Sequence, residues 1–148
     1  MKRKKGSFLI EAIISLSIVV LILAILPGTI NRVELSSSFR YKIFKANEAI
    51  NAISKELKYN NSYEKIKNKL QIEGIKIAYS EKFLDEILEK NLFNMEETLE
   101  ENNFIKINII DEESTFMKIK IEVNINIQGS TKKIEHIVLK DKWMDYVY

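Results

Sequence analysis

The sequence has no cysteine, one proline (Pro27), one histidine (His136), one tryptophan (Trp143) and four glycines in 148 residues. Without cysteine there is no disulfide framework, no thiolate metal site and no thiol nucleophile. One histidine excludes a paired-histidine metal site and leaves little for acid–base work near neutral pH. Four glycines, scattered at 6, 28, 74 and 129, do not build a glycine-rich phosphate loop. Charge of one sign is also scarce: 23 Lys+Arg stand against 21 Asp+Glu, a net of +2. These absences disfavour an enzyme. No catalytic residue, metal or cofactor is expected, nor any small-molecule substrate.

What the chain does have is unevenly spread. Residues 2–5 read Lys-Arg-Lys-Lys, Gly6 follows, and an apolar run begins with Ser7-Phe8-Leu9-Ile10-Glu11. From Ala12 to Asn31 no residue is charged, and Ile, Leu, Val and Ala dominate. Coiled as a helix at about 1.5 Å per residue, that run is about 30 Å long, one bilayer core. The basic residues before it are expected to stay in the cytoplasm, with the bulk of the chain outside. An ordinary secretory signal peptide has a shorter apolar core and a small-residue cleavage site after it. Here Leu26-Pro27-Gly28 follows instead. A plain single-pass anchor fits the length and the charge but leaves Glu11 unexplained.

A basic leader, a glycine, and a glutamate five residues into an apolar stretch together resemble the type IV pilin leader, the class III signal peptide. The resemblance covers about the first 30 residues and rests on Lys2 to Lys5, Gly6 and Ser7 to Glu11. It implies that a prepilin peptidase cuts between Gly6 and Ser7 on the cytoplasmic side and methylates the new amine of Ser7. It further implies a leader (1–6), a transmembrane and filament-core helix (7–30) and an extracytoplasmic pilin-like head (31–148). The partners implied are the peptidase, the cytoplasmic membrane and other pilin subunits. The final location implied is a filament on the cell surface. A carboxylate inside a bilayer costs a few kcal/mol unless compensated. The ammonium freed at Ser7 lies four residues before Glu11 and can pair with it, in the same helix or a neighbouring subunit. In the family this pairing is thought to set the register of an incoming subunit. The family usually has Phe or another apolar residue where Ser7 stands, and its major subunits often carry a proline close to, but not at, the place of Pro27. Both departures favour a minor pilin or a pseudopilin, of a pilus or of a competence or secretion filament. Pro27-Gly28 is expected to kink or loosen the helix.

Beyond the apolar run, Phe39, Ile43, Ala46, Ile50, Ile53 and Leu57 recur every three or four residues. One helix from about Ser7 to Tyr59 is the natural reading, apolar all round and then amphipathic. Ser36-Ser37-Ser38 is an alternative break, and Asn60-Asn61-Ser62 the expected end. Tyr63, Ile66 and Leu70 suggest further helical turns. Ile72, Ile75 and Ile77 around Gly74 read as a short strand or a turn. Ser80 is a candidate helix cap, with Phe83, Leu84, Ile87 and Leu88 on one face. The last third switches to a period of two. Phe104 to Ile109 alternates, Met117 to Ile127 alternates more cleanly, and Ile134 to Leu139 reads as a third strand. Asp111-Glu112-Glu113-Ser114 and Gly129-Ser130 are the expected turns. Residues 143–148 read as a last strand or a loose tail. The fold expected is α+β: a long N-terminal helix packed on a C-terminal antiparallel β-meander, the pilin-like arrangement.

Three other features compete for a role. The run Glu96-Glu97-Thr98-Leu99-Glu100-Glu101 lacks calcium-loop spacing and reads as a solvated surface. His136, beside Glu135, has no serine or aspartate spaced to form a triad. Lys132, Lys133, Lys140 and Lys142 with Trp143 and Tyr146 form a modest basic and aromatic group that could contact DNA. Without the four leader charges the mature chain carries −2 by side chains, which disfavours that role. The alternatives to a filament subunit are therefore a single-pass membrane protein with an outward-facing binding domain, and a DNA-binding minor pilin of an uptake machine.

Overall fold

The computed structural model describes residues 4–70, 74–127 and 129–146. Its first element, α1, is a helix from Lys4 to Lys55, continued by a π-helical turn over Glu56–Asn60. Then follow α2 (Tyr63–Leu70), β1 (Ile75–Ala78), α3 (Phe83–Glu89), a 3-10 turn (Leu92–Asn94), β2 (Phe104–Glu112), β3 (Phe116–Ile127), β4 (Ser130–Asp141) and a 3-10 helix (Lys142–Tyr146). The strands form one antiparallel sheet in the order β1-β2-β3-β4. The fold is α+β, a helix packed on an antiparallel sheet. Two compact units divide it, residues 1–40 and the head, residues 41–148.

In the first unit α1 runs unbroken through Pro27, Gly28 and Ser36 to Ser38. Pro27 has no N–H to give the Leu23 carbonyl. Nearby hydroxyls stay within the helix: Thr29 Oγ1 donates to the Leu26 carbonyl at 2.8 Å, and Ser17 Oγ to Ile13 at 2.8 Å. Polar groups satisfied by their own helix are what a hydrocarbon surrounding demands. A Cβ added to Gly28 would meet nothing within 4 Å, so packing inside this chain does not require that glycine.

In the head, Ala46, Ala49, Ile50, Ile53 and Leu57 share one buried cluster with Ile105 and Ile107 of β2 and Met117 to Ile127 of β3. The stripe read from the sequence is thus correct from Ile43, half-buried against that cluster, onward. Phe39 departs from it, 42% exposed in the first unit, and Ala49 belongs to it instead. The helix ends where expected. Asn61 Nδ2 donates back to the Glu56 carbonyl at 3.1 Å, and Ser62 starts α2 by accepting from Ile66 N–H at 3.0 Å. Leu88 does not share the buried face of α3; it is 85% exposed while Phe83 is buried. The sequence between Ile75 and Ala78 is a strand, the fourth of the sheet. Gly74 opens it at φ +73, and a Cβ there would run into the Ile107 carbonyl. Ile72 lies outside the described residues.

The meander differs from the reading at its turns. β2 runs past Ile109 through a bulge, because the pairing skips Ile110, and ends at Glu112. Asp111 is therefore a strand residue, paired with Lys118 at 2.7 Å, and the turn is Glu113 to Thr115. β4 begins at Ser130, before the apolar alternation does. Residues 142–146 are neither strand nor loose tail but a 3-10 helix; Val147 and Tyr148 lie outside the described residues.

Candidate functional sites on the helix and the head

The residues singled out at the N-terminus all fall on α1. Gly6 and Ser7 are in its first turn, where only the backbone is described. Glu11 lies in the following turns with an exposed side chain. From Phe8 to Ile30 the large apolar side chains are 45% to 74% exposed. An 18-residue window has mean hydropathy 2.9 with no residue buried. The helix is long and apolar enough to cross a membrane. Proximity to the N-terminus puts Glu11 at one end of that window.

The candidate basic group does not assemble into a patch. Lys140, only 1% exposed, donates to the Lys58 carbonyl at 2.8 Å and pairs with Asp145 at 2.7 Å. The other oxygen of Asp145 accepts from Tyr63 N–H at 2.8 Å. One buried cation thus joins the end of the long helix, the start of α2 and the last 3-10 helix. Lys142 lies over the Tyr63 ring at 4.9 Å. Lys133 bridges Glu122 and Glu135, at 2.8 Å each. Lys132 is the one of the four with no partner among the described residues. Lys120 completes the outer-face network with Glu135 at 2.9 Å. Burial pushes the Glu122 carboxyl up, but hydrogen bonds from Lys133 and Asn124 outweigh it and hold it below its ordinary range. Lys133 and Lys120 lower Glu135 in the same sense.

His136 is exposed on β4, opposite Ile121. Among the described residues, no three His, Asp or Glu side chains gather as a metal site. The acidic run lies along the sheet edge, where Thr98 N–H donates to the Lys76 carbonyl at 2.8 Å. Leu99 within it is 97% exposed.

Comparison with family models, with curated proteins and with solved structures finds no match.

One feature of the head escaped the sequence reading. A cavity of about 220 Å³ lies between residues 41–45 of α1, the turn after β1 and the end of β3. Asn103 on its wall has φ +56, the one left-handed non-glycine residue among those described. Its carbonyl accepts from Tyr79 N–H at 2.7 Å. The signal was there in outline: Asn102-Asn103 before a strand is turn chemistry, because asparagine tolerates the left-handed region. Nothing local said that Tyr79 and Tyr41 would meet it.

Proposed function

We propose that this chain is a structural subunit of a type IV pilin-like filament, a minor pilin or pseudopilin. In this reading prepilin peptidase removes residues 1–6 and modifies the amine of Ser7. The apolar half of α1 first holds the subunit in the cytoplasmic membrane and then packs among other copies as filament core. Glu11 pairs with a Ser7 ammonium and sets register. The observation that carries the reading is the spacing of Lys2 to Lys5, Gly6 and Glu11 at the mouth of an apolar helix. Two physical facts support it. Among the described residues nothing covers the apolar side chains of that helix, which suits a surrounding of lipid or other subunits. The amphipathic half of the same helix packs on the antiparallel sheet, so one element runs from the apolar stretch into the head.

The test is the N-terminal mass of the protein purified from a host with an active prepilin peptidase. A start at Ser7, with or without a methyl group, is expected. Retention of Met1 to Gly6 overturns the reading and leaves a single-pass membrane protein with an outward-facing domain. Replacing Gly6 by a bulkier residue is expected to block the cut. Glu11→Ala is expected to be cut normally yet enter filaments poorly.

A further inference from the structure

The cavity beside Asn103 has an unusual balance of hydrogen-bonding groups. Asn103 Oδ1 accepts from Asn126 N–H at 2.7 Å, and Asn126 Oδ1 accepts from Gly129 N–H at 2.9 Å. Both amide oxygens are thereby fixed by backbone donors. Neither amide NH2 group has an acceptor among the described residues, and each can donate twice. Ser80 Oγ likewise accepts, from Lys82 N–H at 3.2 Å, and keeps its own proton for another partner. The cavity is thus rich in donors left unspent.

It also holds an uncommitted positive charge. Lys45 is engaged by Glu48 at 2.7 Å, but Lys42, one turn earlier, has no ion pair among the described residues. The walls add two phenol rings, Tyr41 and Tyr79. Tyr79 is propped by Phe83, with centroids 6.0 Å apart. Burial first, then Glu81 and Glu48, push its hydroxyl above the ordinary tyrosine value, so it remains a neutral donor.

Size and chemistry narrow the occupant. Ligand pockets commonly measure about 300–1,000 Å³, so about 220 Å³ admits one ring and excludes a nucleotide or a large cofactor. Excess donors call for an acceptor-rich ligand, and Lys42 calls for a negative charge. Ring faces and amides suit a body with apolar C–H edges and hydroxyls. A phosphate dianion fits less well. It favours arginine forks or several cations, and the Glu81 carboxylate stands at the same wall. We propose that this cavity binds a monosaccharide bearing a carboxylate, a uronic acid. Its carboxylate meets Lys42, its hydroxyls meet the amides of Asn103 and Asn126, and its ring lies against Tyr79. Glu81 accepts from a remaining hydroxyl. This is binding without turnover, and it goes beyond the filament reading: it stands whether or not the chain is cut at Gly6.

The experiment is a calorimetric titration of the full chain in detergent micelles with sodium glucuronate, beside glucose, acetate and inorganic phosphate. Saturable glucuronate binding in about the millimolar range is expected, with glucose at least about tenfold weaker. Acetate and phosphate are expected not to saturate over the same range. Lys42→Gln should bring glucuronate down to the level of glucose while leaving glucose unchanged. Asn103→Gly, which suits the left-handed backbone, should weaken both sugars. Circular dichroism of each variant verifies that the head remains folded. The proposal is overturned if glucuronate does not saturate, if acetate or phosphate matches it, or if a folded Lys42→Gln protein keeps the preference.

Discussion

Ile18 and Ile53 sit on the same helix and meet opposite surroundings. Ile18 is 52% exposed among other bare aliphatic side chains; Ile53 is fully buried under the sheet. Both stretches are helical, because each backbone satisfies its own hydrogen bonds whatever lies outside. What differs is the source of the cover. The head encloses its half of the helix with β2 and β3 of the same chain. Among the described residues nothing encloses the other half, and burying each such side chain is worth roughly 1.5–3 kcal/mol. One helix therefore belongs to the fold of the head along part of its length and is bare, and apolar enough to cross a membrane, along the rest.

That contrast can be broken at either end. A large effect on the head is expected from Lys140→Ala, which takes the buried cation from a partly exposed Asp145 and the donor from the Lys58 carbonyl. The loss should be about 3 kcal/mol, the low end for breaking a buried pair, readable as a lower urea midpoint at Trp143 fluorescence. Next comes a matched pair. Ile53→Ala should cost the head about 2–5 kcal/mol, whereas Ile18→Ala should leave its urea midpoint unchanged. An equal loss from both would remove the distinction between the two regions. Val20→Lys should act the other way round. It should oppose membrane insertion by about 2.5–3.5 kcal/mol, measured by membrane fractionation, with the head unaffected. The smallest effect concerns acid. Glu122 and Glu135 have carboxyls lowered by folding, so their contribution is present above the ordinary carboxylate range. It is lost as the pH falls below about 4.5 through the lowered folded values, and Lys133→Met should flatten that part of the stability profile.

Periodicity made the long helix, its buried stripe from Ala46 to Leu57 and the three long strands readable, because each repeats one environment over several turns or pleats. It was misleading where one residue escapes the repeat. Leu88 keeps helical spacing yet points to solvent, since α3 is only seven residues long and packs on one side. Ile110 is dropped from the ladder by a bulge that no alternation pattern announces. Lys140 looked like a surface base among its neighbours Lys132, Lys133 and Lys142. Its burial depends on Lys58 and Asp145, and the first of these is far away in sequence. The cavity was illegible for the same reason: Tyr41, Tyr79, Asn103 and Asn126 come from four separate segments. The N-terminal motif is the converse case, for everything it says lies in local order.

The buried Lys140 also imposes a timetable. Lys140 and Lys58 are 82 residues apart, as are Asp145 and Tyr63. In synthesis the helix precedes the sheet, and the groups that fasten its far end come after the whole sheet. Helical turns form in microseconds or less, but this fastening waits for synthesis, which proceeds at about 5–20 residues per second. For some seconds the stripe from Ala46 to Leu57 has no sheet of its own to cover it. A chain that met a membrane during that interval would carry two apolar stretches, of which only the later one is taken back by its own sheet.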